Sequence, residues 1–438
     1  MSKRLVSPIG KYPGDWEIVY LRDITTKIGS GATPTGGQDT YVQHRQNFAL
    51  IRSQNVLDRK FDERGLAFIT DEQAHNLLGV SLKIDDILLN ITGDGITFSR
   101  SCKVPESILP AVVNQHVSII RVDETLADSG YILAYLTHPS IKKYIESFNA
   151  GGSRRAITKG HIESFVIPLP PLPTQHRIAK ILSSFDDKIE LNQQMNETLE
   201  AMARAIFQSW FVDFNPVRAK AEGRQPEGMD AATAALFPNG FEEVEGREVP
   251  RGWGVEPLSN SFDIKMGQSP PGTTYNENGE GIPFFQGRTD FGFRYPSIRV
   301  YCMAPTRFAE EGDTLVCVRA PVGDINLAPE KCCIGRGVAS VRHTTGSRSF
   351  TYYQMLALKE VFALFESEGT VFGSIGKTDF NSIDCVTPPN EMVKRFEHIV
   401  FPIDQMIENN EHESRTLAQI RDTLLPKLMS GEIQVPIV

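Results

Sequence analysis

At 438 residues the chain has room for two or three domains, and its 40% hydrophobic and 23% charged content is ordinary for a globular protein. The net charge of −9 argues against a molecule that is basic all over, but leaves room for a local basic face. No apolar run approaches the roughly 18 residues of a membrane span. The stretch from Met1 to Pro8 has two basic residues and no apolar core behind them, so no signal peptide is expected. The six cysteines form no CxxC pair and the nine histidines show no metal-ligand spacing. Reduced thiols, a cytoplasmic location and no structural metal are the expectation.

Residues 1–170 read as a first globular segment of short strands and turn-rich loops. Trp16 and Leu21 lead into Gly29-Ser30-Gly31-Ala32-Thr33-Pro34, and polar clusters follow at Arg52-Ser53-Gln54-Asn55, Thr92-Gly93-Asp94-Gly95, Asn114-Gln115-His116 and Gly152-Ser153-Arg154-Arg155. After Pro170-Pro171 the hydrophobic period changes from near two to three-and-four. Residues 171–212 are predicted as one helix with a seam of Ile178, Leu182, Phe185, Ile189, Asn192, Asn196, Leu199, Ala203, Ile206 and Trp210. Residues 213–252 read as a linker.

A second globular segment, 253–389, opens with Trp253 and Leu258 before Gly267-Gln268-Ser269-Pro270-Pro271-Gly272. Its polar clusters include Gln286-Gly287-Arg288, Arg319-Ala320-Pro321, Gly335-Arg336-Gly337 and Gly373-Ser374. Residues 390–430 are predicted as a second long helix with the seam Phe396, Val400, Ile403, Ile407, Asn410, Ser414, Leu417, Arg421, Leu424 and Leu428. Pro426 is expected to kink or end it and Gly431 to stop it, leaving a tail at 431–438. A helix of about 37 residues is roughly 55 Å long. Packed antiparallel about a pseudo-twofold axis, the two would bring Asn192 and Asn410 together beside Ile189 and Ile407, and such a polar pair fixes register at a cost in stability.

The two halves repeat one another. Ala156-Ile157-Thr158-Lys159 matches Ser374-Ile375-Gly376-Lys377, Pro170-Pro171 matches Pro388-Pro389, and Asp186, Ile189, Glu190 and Asn192 match Asp404, Ile407, Glu408 and Asn410, all at an offset of 218. The offset between Trp16 and Trp253 is 237, so the first globular segment is longer by 19 residues. The chain is a duplication.

Catalytic signatures are missing. Asp213-Phe214-Asn215-Pro216-Val217 lacks the second proline and the aromatic of an amino-methyltransferase loop, and the Gly29–Gly37 stretch has no Gly-Lys-Ser/Thr ending. There is no GxSxG elbow and no zincin helix. The chain is therefore not expected to be an enzyme by itself.

The polar clusters fit nucleic acid better than chemistry, since Arg reads guanine and Asn or Gln reads adenine through paired hydrogen bonds. The candidate DNA-binding residues of the first half are Arg52, Gln54, Asn55, Asn114, Gln115, Arg154 and Arg155. Those of the second are Gln286, Arg288, Arg319, Arg336 and Ser374, with Arg154 and Arg288 the foremost candidates for base contacts.

Across essentially its whole length the sequence resembles the specificity subunit of type I restriction–modification systems. The carrying segments are Pro168-Leu169-Pro170-Pro171-Leu172-Pro173-Thr174-Gln175, Ile178-Ala179-Lys180-Ile181-Leu182, Asp187-Lys188-Ile189-Glu190, Ser209-Trp210-Phe211-Val212-Asp213-Phe214 and Leu424-Leu425-Pro426-Lys427-Leu428-Met429-Ser430-Gly431. The resemblance implies an α+β chain, with two mixed α/β target-recognition domains joined by two long antiparallel coiled-coil helices. Each domain would read one half of a bipartite target in double-stranded DNA, and the helices would fix the spacer. It also implies partners: two modification subunits using S-adenosylmethionine, and restriction subunits using ATP and Mg, with no cofactor in this chain. The family pattern lapses at Pro389-Asn390-Glu391, which lacks the Leu-Pro-x-Gln helix start of the first half. Two other readings stay open on the residues alone: a methyltransferase with a degenerate loop, and a tandem protein joining binding modules for ligands other than DNA.

Overall fold

The computed structural model describes residues 6–148, 155–367 and 373–436. The chain divides into two compact units, Met1–Gln193 with Glu411–Val438, and Gln194–Asn410. Both long helices cross that division, so each unit holds one globular segment and a portion of each helix.

In the first unit a four-stranded antiparallel sheet runs in the order Thr25–Ser30, Val117–Val122, Ile87–Asn90, Ser101–Lys103. A three-stranded sheet, Ala67–Phe68, Ala49–Ile51, Ala111–Val113, lies beside it and contains a parallel pair between the last two. Every residue of Ile87–Asn90 is buried. Side chains alternate across a strand, so Ile87 and Leu89 enter a core shared with Tyr131, Tyr135, Ile178 and Leu425, while Leu88 packs with Ala49, Ile51 and Ile119 on the other face. That two-sided burial explains the continuous apolar run. Strand Glu17–Tyr20 pairs with Val166–Leu169 and leads the chain into the first long helix.

The second unit repeats the plan. Its four-stranded sheet is Phe262–Met266, Val338–His343, Thr314–Cys317, Ile325–Leu327, and its parallel pair joins Ile282–Phe285 to Cys332–Ile334. Val316 faces one core and Leu315 another, as Leu89 and Leu88 do. Gly254–Pro257 pairs with Asp384–Thr387 before the second long helix. The α+β class holds.

The helices are Leu172–Phe207, closed by a π-helical turn at Gln208–Val212, and Asn390–Met429. Their seams pair antiparallel in each unit. In the first, Arg421 reaches Asp186 (2.6 Å), and Asn192 donates to Glu413 (2.8 Å) and Ser414 (3.2 Å). In the second, Asn410 donates to Asn196 (2.9 Å), and Phe207 meets Phe396 edge-on at 5.6 Å. Of the aliphatic seam residues singled out, Ile407 is fully buried and Ile189 half-buried.

Two expectations change. Pro426 does not end the second helix, which continues to Met429. A proline so near the end forfeits a single backbone bond, and the following Leu428 and Met429 are buried in the core. Gly431, at φ +68°, is the stop. The expected linker 213–252 is folded: helices Asn215–Ala221 and Ala231–Ala235 and a hairpin of Phe241–Val244 with Arg247–Pro250 bury Phe214, Val217, Phe237 and Val249 in the second unit's core.

Candidate nucleic-acid interface

One set of backbone hydrogen bonds gathers the polar clusters of the first unit at a single edge. Where the strand Thr25–Ser30 ends, the N–H groups of Gly31 and Ala32 donate to the carbonyls of Val117 (2.9 Å) and Val113 (3.0 Å). Asn114 N–H donates to Ile51 (3.0 Å), Ile91 to His116 (3.0 Å) and Ile157 to Ile91 (2.9 Å). The loops carrying Arg52 and Gln54, Thr92, Gln115, and Arg155 are thus laced together.

The second unit has the same lacing at matched positions. Gly267 donates to Val338 (2.9 Å), Gln268 to Ile334 (3.0 Å), Gly335 to Phe285 (2.8 Å), Val318 to Gly337 (2.9 Å) and Ile375 to Val318 (3.0 Å). These bonds equate Arg52 with Gln286, Thr92 with Arg319, Gln115 with Arg336 and Ala156 with Ser374. The backbone is repeated and the side chains are not.

In the second unit Gln286, Arg288, Arg319 and Arg336 line one groove of about 980 Å³, with Tyr275 and Arg299. Ser374 is exposed and bridged to Arg319. Arg288 Nε lies 3.0 Å from Asp324, and Arg299 Nε donates to Asp290 at 3.0 Å. Arg319 and Arg336 are exposed, and neither has an ion pair among the described residues. Sequence reasoning missed Arg299, which stands in an irregular stretch with no pattern to mark it.

In the first unit Gln54 and Gln115 are exposed at the edge. Gln54 donates to the Gly65 carbonyl (3.2 Å), and Gln115 Nε2 lies 3.2 Å from His116 Nε2. Arg52 also donates to Gly65 (2.6 Å) and lies over Tyr41. Arg155 is paired with Glu146 (2.8 Å). Arg154 lies outside the described residues.

Asn55 departs from its expected role. It is fully buried, donating to the Asp62 carbonyl (2.9 Å) and accepting from Arg52 N–H (3.0 Å), so its carboxamide builds the loop and offers nothing to a base. Asn114 is likewise buried and accepts from His116 N–H (3.1 Å), holding its turn. The residue types suggested readers, but burial makes them supports.

Residues 13–201 match the family model described as the type I restriction modification DNA specificity domain. The putative type I restriction enzyme MjaX specificity subunit of Methanocaldococcus jannaschii is 30% identical, over 98% of this chain and 96% of its own. The HindI specificity subunit of Haemophilus influenzae is 27% identical, over 96% of this chain and 100% of its own. Among solved structures, the type I restriction–modification S subunit from M. genitalium has the same fold, with a TM-score of 0.55 at 16% identity over 97% of this chain and 99% of its own. The family model covers the first half, and the full-length relatives bring in the second. With both of its laced loop sets accounted for, the chain belongs to the type I restriction enzyme specificity subunits, the family that gives such systems their DNA specificity.

Proposed function

We propose that each unit reads one half of a bipartite sequence in double-stranded DNA through its laced loop edge. The observation that carries this reading is the repeated backbone frame bearing unlike side chains. A shared frame presents loops to a groove in the same way, and different residues on it specify different bases. Gln54, Gln115 and Arg155 are the readers offered by the first unit, with Arg52 beside them; Gln286, Arg288, Arg319 and Arg336 are those of the second, with Ser374 at its rim.

The chain performs no chemistry itself. Burial pushes the thiols of Cys317 and Cys332 up to about 12 and that of Cys385 up to about 11, far from the thiolate a nucleophile needs. Two modification subunits supply S-adenosylmethionine-dependent methylation, and restriction subunits supply ATP- and Mg-dependent cleavage, in the cytoplasm. The long helices give those subunits a repeated surface and set the spacer between half-sites.

The test is enrichment of random double-stranded DNA by the full chain, with modification subunits added. Two separated conserved half-sites support the reading; a single continuous site, or none, refutes it.

A further inference from the structure

The loop that follows the parallel strand carries readers in both units, and in both it also carries one arginine pointing the other way. Arg59 lies eight residues after Ile51, and Arg294 nine after Phe285. Arg59 donates through Nε to Asp186 (2.7 Å) and through Nη1 to Thr137 (3.1 Å). Arg294 donates to Asp404 (2.5 Å) and to the Tyr353 hydroxyl (2.6 Å), lies 3.3 Å from Glu200, and stacks over Tyr352 at 4.2 Å. Asp186 and Asp404 are partners in the 218-residue repeat, at the same place on the two long helices.

The other long helix completes each cluster. In the first unit Arg421 shares Asp186 (2.6 Å), giving two cations on one anion. In the second Glu200 joins Asp404, giving two anions on one cation. The Arg294 side chain is 0% exposed and that of Arg59 is 7% exposed. A buried guanidinium stripped of its carboxylate is strongly unfavourable, so neither loop leaves its helix without a large penalty. Arg59 also holds φ +60°, which is uncommon for a side-chain-bearing residue, with its N–H donating to Ser101 (2.8 Å).

Rigidity is passed along the loop. Leu327 N–H donates to the Arg294 carbonyl (2.8 Å), and Asp290 binds both Gln286 N–H (3.2 Å) and Arg299. Arg294 thus anchors the middle of a loop whose two ends, Gln286 to Asp290 and Arg299, line the groove. We propose that Arg59 and Arg294 are positioning residues for sequence reading: each pins the recognition loop of its own unit to the repeat-matched aspartate of a long helix. Neither touches DNA. This inference rests on the reading given under Proposed function.

The experiment enriches a pool of random double-stranded DNA with the full chain and its modification subunits. In the triple variant E200Q/R294M/D404N the buried charges go together, so no ion is left alone. Discrimination at one or more bases of one half-site is expected to fall about tenfold, with the other half-site unchanged. R294K keeps the charge without the fork and should lose less, at the same half-site. R59K should affect the opposite half-site. Unaltered preference in folded R294K and R59K overturns the proposal, as does a loss spread evenly over both half-sites. A wild type that enriches no sequence overturns the functional reading and this inference with it, whereas an intact wild-type pattern with indifferent variants overturns only the inference.

Discussion

Gln175 and Glu397 both tie a long helix to the start of a buried helix, yet the repeat does not match them, since its offset sets Gln175 against Val393 and Glu397 against Ala179. In the first unit the helix Ser129–Thr137 has its own cap: Asp128 accepts from Tyr131 N–H at 2.8 Å. The long helix adds Gln175, 1% exposed, which accepts from Asp128 N–H (3.0 Å) and donates to Pro170 (2.8 Å). In the second unit Ser347 makes no side-chain cap bond to the helix Arg348–Ala357. Glu397 fills that place, accepting from the N–H groups of Arg348 (3.0 Å), Ser349 (3.0 Å) and Phe350 (3.2 Å). Three donors and the helix dipole make this a strong cap. Glu397→Ala should cost about 1–3 kcal/mol in chemical unfolding of the full chain, and Ser347→Asp in that background should recover part of it. A loss within the error of the measurement would refute the capping account.

Gly31 and Gly267, unlike Gln175 and Glu397, do occupy matched places, each opening the lacing of its unit. A Cβ on Gly31 would stand 2.0 Å from the Val113 carbonyl oxygen, and one on Gly267 would stand 2.2 Å from that of Gly335. Both obstacles are backbone, and both belong to the lacing that holds the polar loops together. Gly31→Ala and Gly267→Ala should each destabilise by about 1–3 kcal/mol. Gly29→Ala and Gly272→Ala, with nothing within 4 Å, are the controls and should have far smaller effects. Thermal unfolding of the four variants checks this.

What the sequence made legible was periodic or repeated. The 4-3 seam marked both helices because a helix burying one face must repeat its apolar residues, and the 218-residue offset marked the duplication. The groove was legible as residue types, for Gln286, Arg288, Arg319 and Arg336 do meet in it. The fold of residues 213–252 was not, because Phe214, Val217, Phe237 and Val249 come singly from short elements with no period to betray them. The burial of Asn55 was equally hidden, since an asparagine that caps a loop and one that reads adenine look alike. Arg59 and Arg294 left no trace, for their carboxylate partners on the helices of their own repeats are more than a hundred residues away.

His343 gives the second unit a pH dependence of its own. It is 3% exposed at the end of a central strand, and Thr345 N–H donates to its Nδ1 (3.1 Å). Burial lowers its pKa from 6.5 to about 4. The unfolded chain therefore takes up a proton in that interval before the folded chain does. Its contribution is present in full above pH 6.5 and is lost as pH falls toward 4, about 3 kcal/mol in all. His343→Gln cannot titrate there, so the gap between wild-type and variant stability should change with pH across that window. A constant gap would show that His343 is not held neutral by burial.

Among the groove arginines, availability orders the expected effects on DNA reading. Arg319 and Arg336 are exposed, with no ion pair to give up among the described residues, whereas Arg288 must exchange Asp324, 3.0 Å away, for a base or phosphate. Such an exposed pair is weak, so the exchange is cheap but not free. Arg319→Ala and Arg336→Ala should each cost about 1–3 kcal/mol at one base position of one half-site and leave the other half-site as it was. Arg288→Ala should cost less, and Asp324→Asn, which frees Arg288 and removes the negative charge beside it, should tighten binding. Competition binding against single-base variants of the enriched sequence separates two outcomes. A loss confined to one base identifies an edge contact. A loss equal for every sequence, with the salt slope shallower by about one, makes that arginine a phosphate contact and moves the reading to its neighbours Gln286 and Arg299.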